Sequence, residues 1–280
     1  MLIVARSPEL RFVVSNTTEK GYDLEDDDSI DLSPPRSFPT KLLAVLRARF
    51  EAGLPGLAII PCELRDNQAD ELLGIVTKLA ESRRLPTKFI DWIRHDCVWL
   101  NTLVDRIVVE GPKDHPLADK DPLLIMAEPF AFWALQSKPE AHAFVDHPAI
   151  VRAPDVLPYF LRKVRILNAA HTALVTRART RGHVTVLQAM QDAELAEWLE
   201  QLLMHEIVPA VRDDVDGAED FAWQTLERFR NPFLAHKIAD ILKNHETKVA
   251  IRLVPTRDDF RCKFSREPEL LNAVLKENGL

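Results

Sequence analysis

The order in which hydrophobic patterns follow one another limits what this chain can fold into more than any other feature. Between residues 10 and 128, short β-branched runs alternate with longer stretches of helical period, and from about residue 146 onward the helical period dominates. Leu10-Arg11-Phe12-Val13-Val14-Ser15-Asn16 has the content of a strand, Leu57-Ala58-Ile59-Ile60 reads as a short buried one, and Asn101 to Val108 leads into another. Leu123-Leu124-Ile125-Met126-Ala127-Glu128 is the last strand-like run. Between them, Thr40 is placed to cap a helix bearing Leu42, Leu43, Val45, Leu46 and Phe50, which Gly53 and Pro55 stop. A second helix is expected from about Ala69 to Ser82, and a third around Phe89, Trp92 and Ile93. Strands separated by helices indicate a parallel sheet, because a parallel pair needs a crossover. The expected class is α/β and then all-α.

In the second part, Asp192 is expected to cap a helix carrying Leu195, Trp198, Leu199, Leu202, Leu203 and Ile207, ended by Pro209. Phe221 to Phe229 and Phe233 to Leu242 read as two more helices, broken at Asn231-Pro232. Thr256 to Leu280 turns polar.

With 280 residues, 46% of them hydrophobic, the chain can bury a core in each of about two domains. A net charge of −7 gives no general attraction for nucleic acid or an anionic membrane, although a local basic pocket for an acidic substrate remains open. No apolar run reaches the ~20 residues of a membrane span, and Met1 to Arg6 lacks the length and charged leader of a signal peptide. The expected location is the cytoplasm. Cys62, Cys97 and Cys262 have no metal-ligand spacing and are expected to be reduced thiols.

One segment carries chemistry: Arg162-Lys163-Val164-Arg165-Ile166-Leu167-Asn168-Ala169-Ala170-His171-Thr172. On an α-helix Lys163, Asn168 and His171 fall at about 0°, 140° and 80°, so His171 lies between the other two on one broad face. An amine that exchanges a proton, an amide N–H that holds developing negative charge and an imidazole that grips a substrate oxygen suit a reacting carbonyl. The bland alternative is a solvated helix face.

With the preceding Val156-Leu157-Pro158-Tyr159, this segment resembles the signature of the long-chain, metal-independent mannitol dehydrogenase family of polyol and sugar-acid oxidoreductases. Six further segments resemble its tagaturonate reductase (altronate oxidoreductase) branch in the same order: Arg11 to Gly21, Phe38 to Leu42, Ile59 to Leu64, Asn101 to Val108, Ala127 to Phe130, and Arg228 to Pro232 with His236 and Lys248. Any one is weak, whereas seven in order are specific.

The resemblance implies the C-terminal part of a Rossmann-like dinucleotide-binding domain over residues 1–145, and a mainly helical substrate domain over 146–280. It implies NAD as cofactor and a small sugar acid as substrate, with tagaturonate and altronate interconverted. Fructuronate and mannitol are the substrates of near relatives. By the same resemblance Lys163 is the general acid and base, Asn168 and Asn101 hold the carbonyl oxygen as it becomes negative, and His171 positions a hydroxyl. His236 and Lys248 are implied substrate contacts, and Thr18 and Glu19 lie along the cofactor. No metal is needed, since lysine and the amide donors do that work.

Taken by residue type alone, Asn101 and Asn168 also read as turn or cap asparagines, and His236 and Lys248 as solvated helix residues. Ala169 stands where the family has glycine; Asp240 and Ser137 stand where its polyol branch has arginine and aspartate, which argues for a sugar acid. None of the eight glycines forms the G-x-G-x-x-G turn that opens the family's dinucleotide domain. The chain is therefore expected to correspond to the middle of the enzyme, as a gene fragment, a displaced start or a frameshift product. A non-catalytic remnant, self-associating through an exposed sheet edge, is the competing expectation. An unrelated α/β protein is the third.

Overall fold

A computed structural model describes residues 1–18, 20–139 and 146–280. The strands among them are β1 (Phe12–Ser15), β2 (Ala58–Pro61), β3 (Val98–Trp99), β4 (Thr102–Asp105), β5 (Val108–Glu110), β6 (Ile125–Ala127), β7 (Phe132–Gln136) and β8 (Ile150–Ala153). The chain forms two compact units, one of residues 1–104 with 132–157, the other of residues 105–131 with 158–280. The class is α/β followed by helices, with a Rossmann-type parallel sheet in the first unit.

In that unit β1, β2 and β3 pair in parallel in that order, Val13 opposite Ile59 and Ile59 opposite Trp99. β7 and β8 are parallel as well, with Trp133 opposite Ile150. Successive side chains of a strand point to opposite faces, and β2 shows what each face does. Ile59 enters a core built with helices α2 (Phe38–Glu51), α3 (Gln68–Ser82) and α4 (Thr87–His95), among Leu43, Leu46, Leu72 and Phe89. Ile60 faces the other way, into a smaller cluster with Leu100 and Leu135. Both are fully buried, so β2 reads as an unbroken apolar run. A four-residue helix, α1 (Leu2–Ala5), precedes β1 and is held at its carbonyl end by the buried Arg49, which donates to Ala5 O and Ser7 O.

The second unit joins the antiparallel pair β5 and β6 to helices α5 (Leu157–Leu161), α6 (Ala169–Ala178), α7 (Val186–Gln191), α8 (Ala193–Leu202), α9 (Val208–Val211), α10 (Ala218–Phe229), α11 (Ile238–Ile241), α12 (His245–Arg252), α13 (Val254–Phe264) and α14 (Glu269–Glu277). Two segments, Arg162–Asn168 and Leu203–Ile207, are π-helical and continuous with α-helix on both sides. Helix α6 runs through the middle. Ala169, Ala170, Ala173, Leu174, Val175 and Ala178 are wholly inaccessible, and a helix apolar all round is a buried one.

Several expectations need correction. Helix α2 begins at Phe38 rather than after Thr40: Ser37 is its N-cap, and Pro39 suits the first turn because its missing N–H is not needed there. The run 123–128 is not the last strand. β7 and β8 follow it, and β6 pairs antiparallel with β5, outside the parallel sheets. Phe132 to Gln136 is a short apolar run that periodicity cannot assign, and pairing with β8 decides it.

Pro209 does not end its helix; it lies in the first turn of α9, directly after a π segment whose extra residue per turn makes room for the ring. Phe233 to Leu242 is helical only over Ile238–Ile241, because Ile238 N–H donates to Val184 O and Val186 N–H to His236 O across an extended bridge. The polar C-terminal stretch forms α13 and α14, with Leu271, Val274 and Leu275 buried. Residues 105–131 pack with the helices of the second unit.

The thiols follow burial. Cys62 and Cys97 are buried, and loss of hydration pushes them up to about 11 and about 12 respectively, whereas Cys262 is exposed. Only thiolate reacts. Ellman's reagent is therefore expected to label one cysteine, Cys262, in the native chain and the other two only in denaturant. Rapid native labelling of all three would contradict the packing around β2 and β3.

Candidate active site

The segment that carries the chemical signature is the π-helical one. In an α-helix Lys163 and Asn168 would diverge by about 140°. A π turn closes its hydrogen bonds between residues five apart, as Ala169 N–H does to Val164 O, and residues five apart then stand one above the other. Lys163 and Asn168 share that spacing, so the π turn brings them onto one face. His171 follows Asn168 by three residues on α6, where such pairs are neighbours. The expected α-helical geometry is thus replaced by one that gathers the three residues more closely.

Two side chains, Arg165 and Thr172, hold the segment. Arg165 donates through Nε to Thr256 Oγ1 at 2.7 Å and through Nη2 to Asp259 Oδ2 at 2.6 Å. Thr172 Oγ1 donates to Asn168 O at 2.8 Å and accepts from Arg252 Nη1 at 3.2 Å.

The pocket end of this face carries buried polar atoms without a protein partner among the described residues. Asn168 Nδ2, His171 Nε2 and His236 Nδ1 are buried with no hydrogen-bond partner among the described residues. Buried polar atoms are nearly always paired, so three orphans on neighbouring residues mark a place for a ligand. His171 lies flat on Phe229, ring centroids 3.9 Å apart, and meets His236 edge-on at 4.9 Å. Both imidazoles, with Arg228 and Phe229, line a cavity of about 10 Å³, room for one water. Beyond His236 an open groove of about 560 Å³ runs past Glu110, Lys113, Lys237 and Asp240.

Cations surround His171. Burial, followed by His236, Arg252, Arg228 and Lys248, holds His171 well below the usual imidazole value, so it is neutral near pH 7. His236 is lowered too, first by burial, with Asp240 opposing and Lys248 adding to it. Lys248 Nζ donates to Ile241 O at 2.8 Å, and its charge acts on both rings. His171, His236 and Lys248 thus form a cation-rich, hydrogen-bonding cluster within the second unit, and Lys163 is half-buried on the π segment that precedes α6.

In the first unit the expected residues do other work as well. Asn101 is buried. Its Oδ1 accepts from Ala69 N–H at 2.8 Å and its Nδ2 donates to Asp70 Oδ2 at 2.6 Å, so it caps α3. That is the cap reading of this asparagine. Thr18 is exposed in the turn that follows β1, and Glu19 lies outside the described residues. The turn is anchored by Glu63, whose carboxylate accepts from Thr17 N–H at 2.8 Å, Thr17 Oγ1 at 2.9 Å, Ser15 Oγ at 3.1 Å and Tyr22 OH at 3.3 Å. Gly21 is required there, since a Cβ would lie 1.9 Å from Thr17 Oγ1.

Residue-type reasoning passed over Glu63, Arg228 and Phe229. Glu63 and Arg228 lie inside segments singled out by resemblance, yet a charged side chain in such a run gives no sign of whether it faces solvent or a buried partner.

The chain matches the profile of the mannitol dehydrogenase Rossmann domain over residues 3–144 and that of the mannitol dehydrogenase C-terminal domain over residues 155–270. Among curated relatives, the altronate oxidoreductase of Klebsiella pneumoniae (strain 342) is 40% identical over 268 residues, covering 91% of this chain and 56% of that protein. That of Yersinia enterocolitica serotype O:8 / biotype 1B is 37% identical over 288 residues, 98% of this chain and 60% of the relative. The chain therefore spans little more than half the length of these relatives. Its fold superposes on D-sorbitol dehydrogenase in substrate-free form, with a TM-score of 0.80 at 20% identity over 99% of this chain and 61% of that one. It also superposes on the Pseudomonas fluorescens mannitol 2-dehydrogenase ternary complex with NAD and D-mannitol, with a TM-score of 0.78 at 23% identity, covering 99% and 60%.

A histidine whose protonation folding opposes contributes stability above its unfolded value near 6.5 and loses it as pH falls through that value. His171→Phe is therefore expected to flatten the fall in unfolding free energy, measured by urea titration, between about pH 7.5 and 5.5, by at most about 1.4 kcal/mol per pH unit. Equal slopes for the parent and the variant would refute a buried neutral His171.

Proposed function

The chain belongs to the mannitol dehydrogenase family, and on that premise we propose that it carries the catalytic apparatus of an NAD-dependent, cytoplasmic reductase of a keto-sugar acid, with tagaturonate giving altronate. The observation that supports it most is the π turn, whose five-residue hydrogen-bond spacing sets Lys163 and Asn168 toward one face, with the unpartnered nitrogens of Asn168 and His171. Lys163 gives its proton to the alkoxide oxygen in reduction and takes it back in oxidation. Asn168 donates to that oxygen as negative charge builds, and the family resemblance gives Asn101 the same role. His171, neutral, can both accept from and donate to a substrate hydroxyl.

His236 and Lys248 receive the carboxylate, for which a cation beside a hydrogen-bond donor is suited. The name of the curated relatives and the absence of a cation at Asp240 favour an acid over a polyol. Asp240 is itself paired with Lys243 at 2.7 Å.

A dinucleotide, when bound, supplies the hydride. Ligands of parallel sheets lie outside the carboxyl ends of the strands. The turn closed by Gly21 and fixed by Glu63 at the end of β1, with Thr18 exposed, fits one part of such a ligand. Thr18 and Glu19 would hold it.

The test is NADH oxidation by the 280-residue chain with tagaturonate, fructuronate and fructose in parallel. Tagaturonate is expected to turn over fastest. Lys163→Ala should lower kcat by about 10²- to 10⁴-fold, and Asn168→Ala by roughly 10²-fold, the cost of about 3 kcal/mol for one lost oxyanion donor. No turnover together with no NADH binding by fluorescence titration would sink the proposal.

Assembly belongs to the same reading. Among the described residues β1 pairs only with β2, and Val14 on it is exposed. Unpaired edges recruit further strands. Light scattering after size exclusion is expected to give a mass that rises with concentration; a constant monomer mass would rule this out.

A further inference from the structure

We propose that Arg228 is a positioning residue for His171, acting through the Phe229 ring on which the imidazole rests. The inference builds on the reading of His171 as the group that holds a substrate hydroxyl.

Arg228 is buried and its guanidinium is gripped on two sides. Nη1 and Nη2 donate to Asp105 Oδ2 and Oδ1 at 3.0 and 2.9 Å, while Nε and Nη2 donate to Glu128 Oε2 and Oε1 at 3.0 and 2.7 Å. The Phe130 ring covers its face at 4.1 Å. A planar fork held bidentately on two edges has one orientation. It therefore fixes the rotation of the last turn of α10 about the helix axis, and with it the next side chain, Phe229.

His171 needs such a support. Its Nε2 has no protein hydrogen bond, so ring contacts with Phe229 and His236 set its tilt. Arg228, Phe229 and His171 line one cavity, which brings the clamp and the imidazole to the same wall. Simple packing could fill this space without an ion cluster; the fork adds a fixed angle.

The test is NMR of the histidine-labelled chain, with the His171 signals assigned by their loss in His171→Gln. The stacked Phe229 ring shields the imidazole protons, which are expected upfield in the parent. Arg228→Lys keeps the charge and loses the fork. With the fold intact by circular dichroism, it should move these signals toward the unstacked position and lower kcat of the proposed reduction by about tenfold to a hundredfold with little change in KM. Phe229→Leu should move the signals the same way with the ion cluster untouched, and it decides alone if Arg228→Lys does not fold. Unmoved His171 signals in a folded Arg228→Lys chain, or in Phe229→Leu, overturn the inference. The NMR arm needs no turnover, so an inactive parent would count against the proposed reaction and leave this arm readable.

Discussion

A guanidinium buried between two carboxylates is the interaction on which the helical unit depends. Deleting one member of a buried ion pair costs about 3–5 kcal/mol, because the remaining charge is stranded, and that is a large part of the ~5–15 kcal/mol that stabilises a domain. Arg228 alone cannot neutralise both Asp105 and Glu128. The difference is made up locally: Ile107 N–H donates to Glu128 Oε1 at 2.6 Å, and Arg162, part-buried and stacked on Tyr159 and Phe221, interacts with Asp105. Two cations and two anions thus join Asp105 at the end of β4, Glu128 just after β6, the end of α10 and the first residue of the π segment. This is why residues 105–131 pack with the helices although they follow the strands in sequence.

The π segments are the second constraint. Each adds a residue to a helical turn at some cost in hydrogen-bond geometry, so it persists only where its surroundings fix it. The first is held at Arg162 by Asp105 and at Arg165 by Thr256 and Asp259. The second is held at Glu206, whose buried carboxylate accepts the N–H groups of Leu270 and Leu271 and so caps α14. That capping offsets burial, which raises the Glu206 carboxyl above its ordinary value. The C-terminal helices, polar on most of their surface, thereby brace the helices that carry the site.

What could be read from the sequence, and what could not, follows from the range of the interactions. The strand–helix alternation around Ile59 and Ile60 is local and was legible. So was the apolar stripe of α8, with Asp192 accepting from Leu195 N–H at its start. β7 and β8 depend on pairing across sixteen residues, and His236 lies on an extended bridge to residues 184–186 rather than on a helix, so local pattern misassigned them. The proposed trio of Lys163, Asn168 and His171 was legible as residue types. Its geometry was not, because no helical wheel anticipates a π turn.

The resemblance succeeded where periodicity failed for a physical reason. Asp105, Glu128 and Arg228 come from three of the seven matching segments, and Ser15, Thr17 and Glu63 from two more. These segments are separated in sequence yet meet in space, within one unit or the other, at a buried charge with every strong acceptor or donor engaged. Such a node tolerates no single replacement, since each partner lost leaves an uncompensated group in a low dielectric. The residues that resemble a family most closely are therefore of two kinds, those that touch substrate and those that keep the first kind in place. Asn101, matched as a donor to the reacting oxygen and found capping α3 through Ala69 and Asp70, shows that one matched side chain can also do the second kind of work.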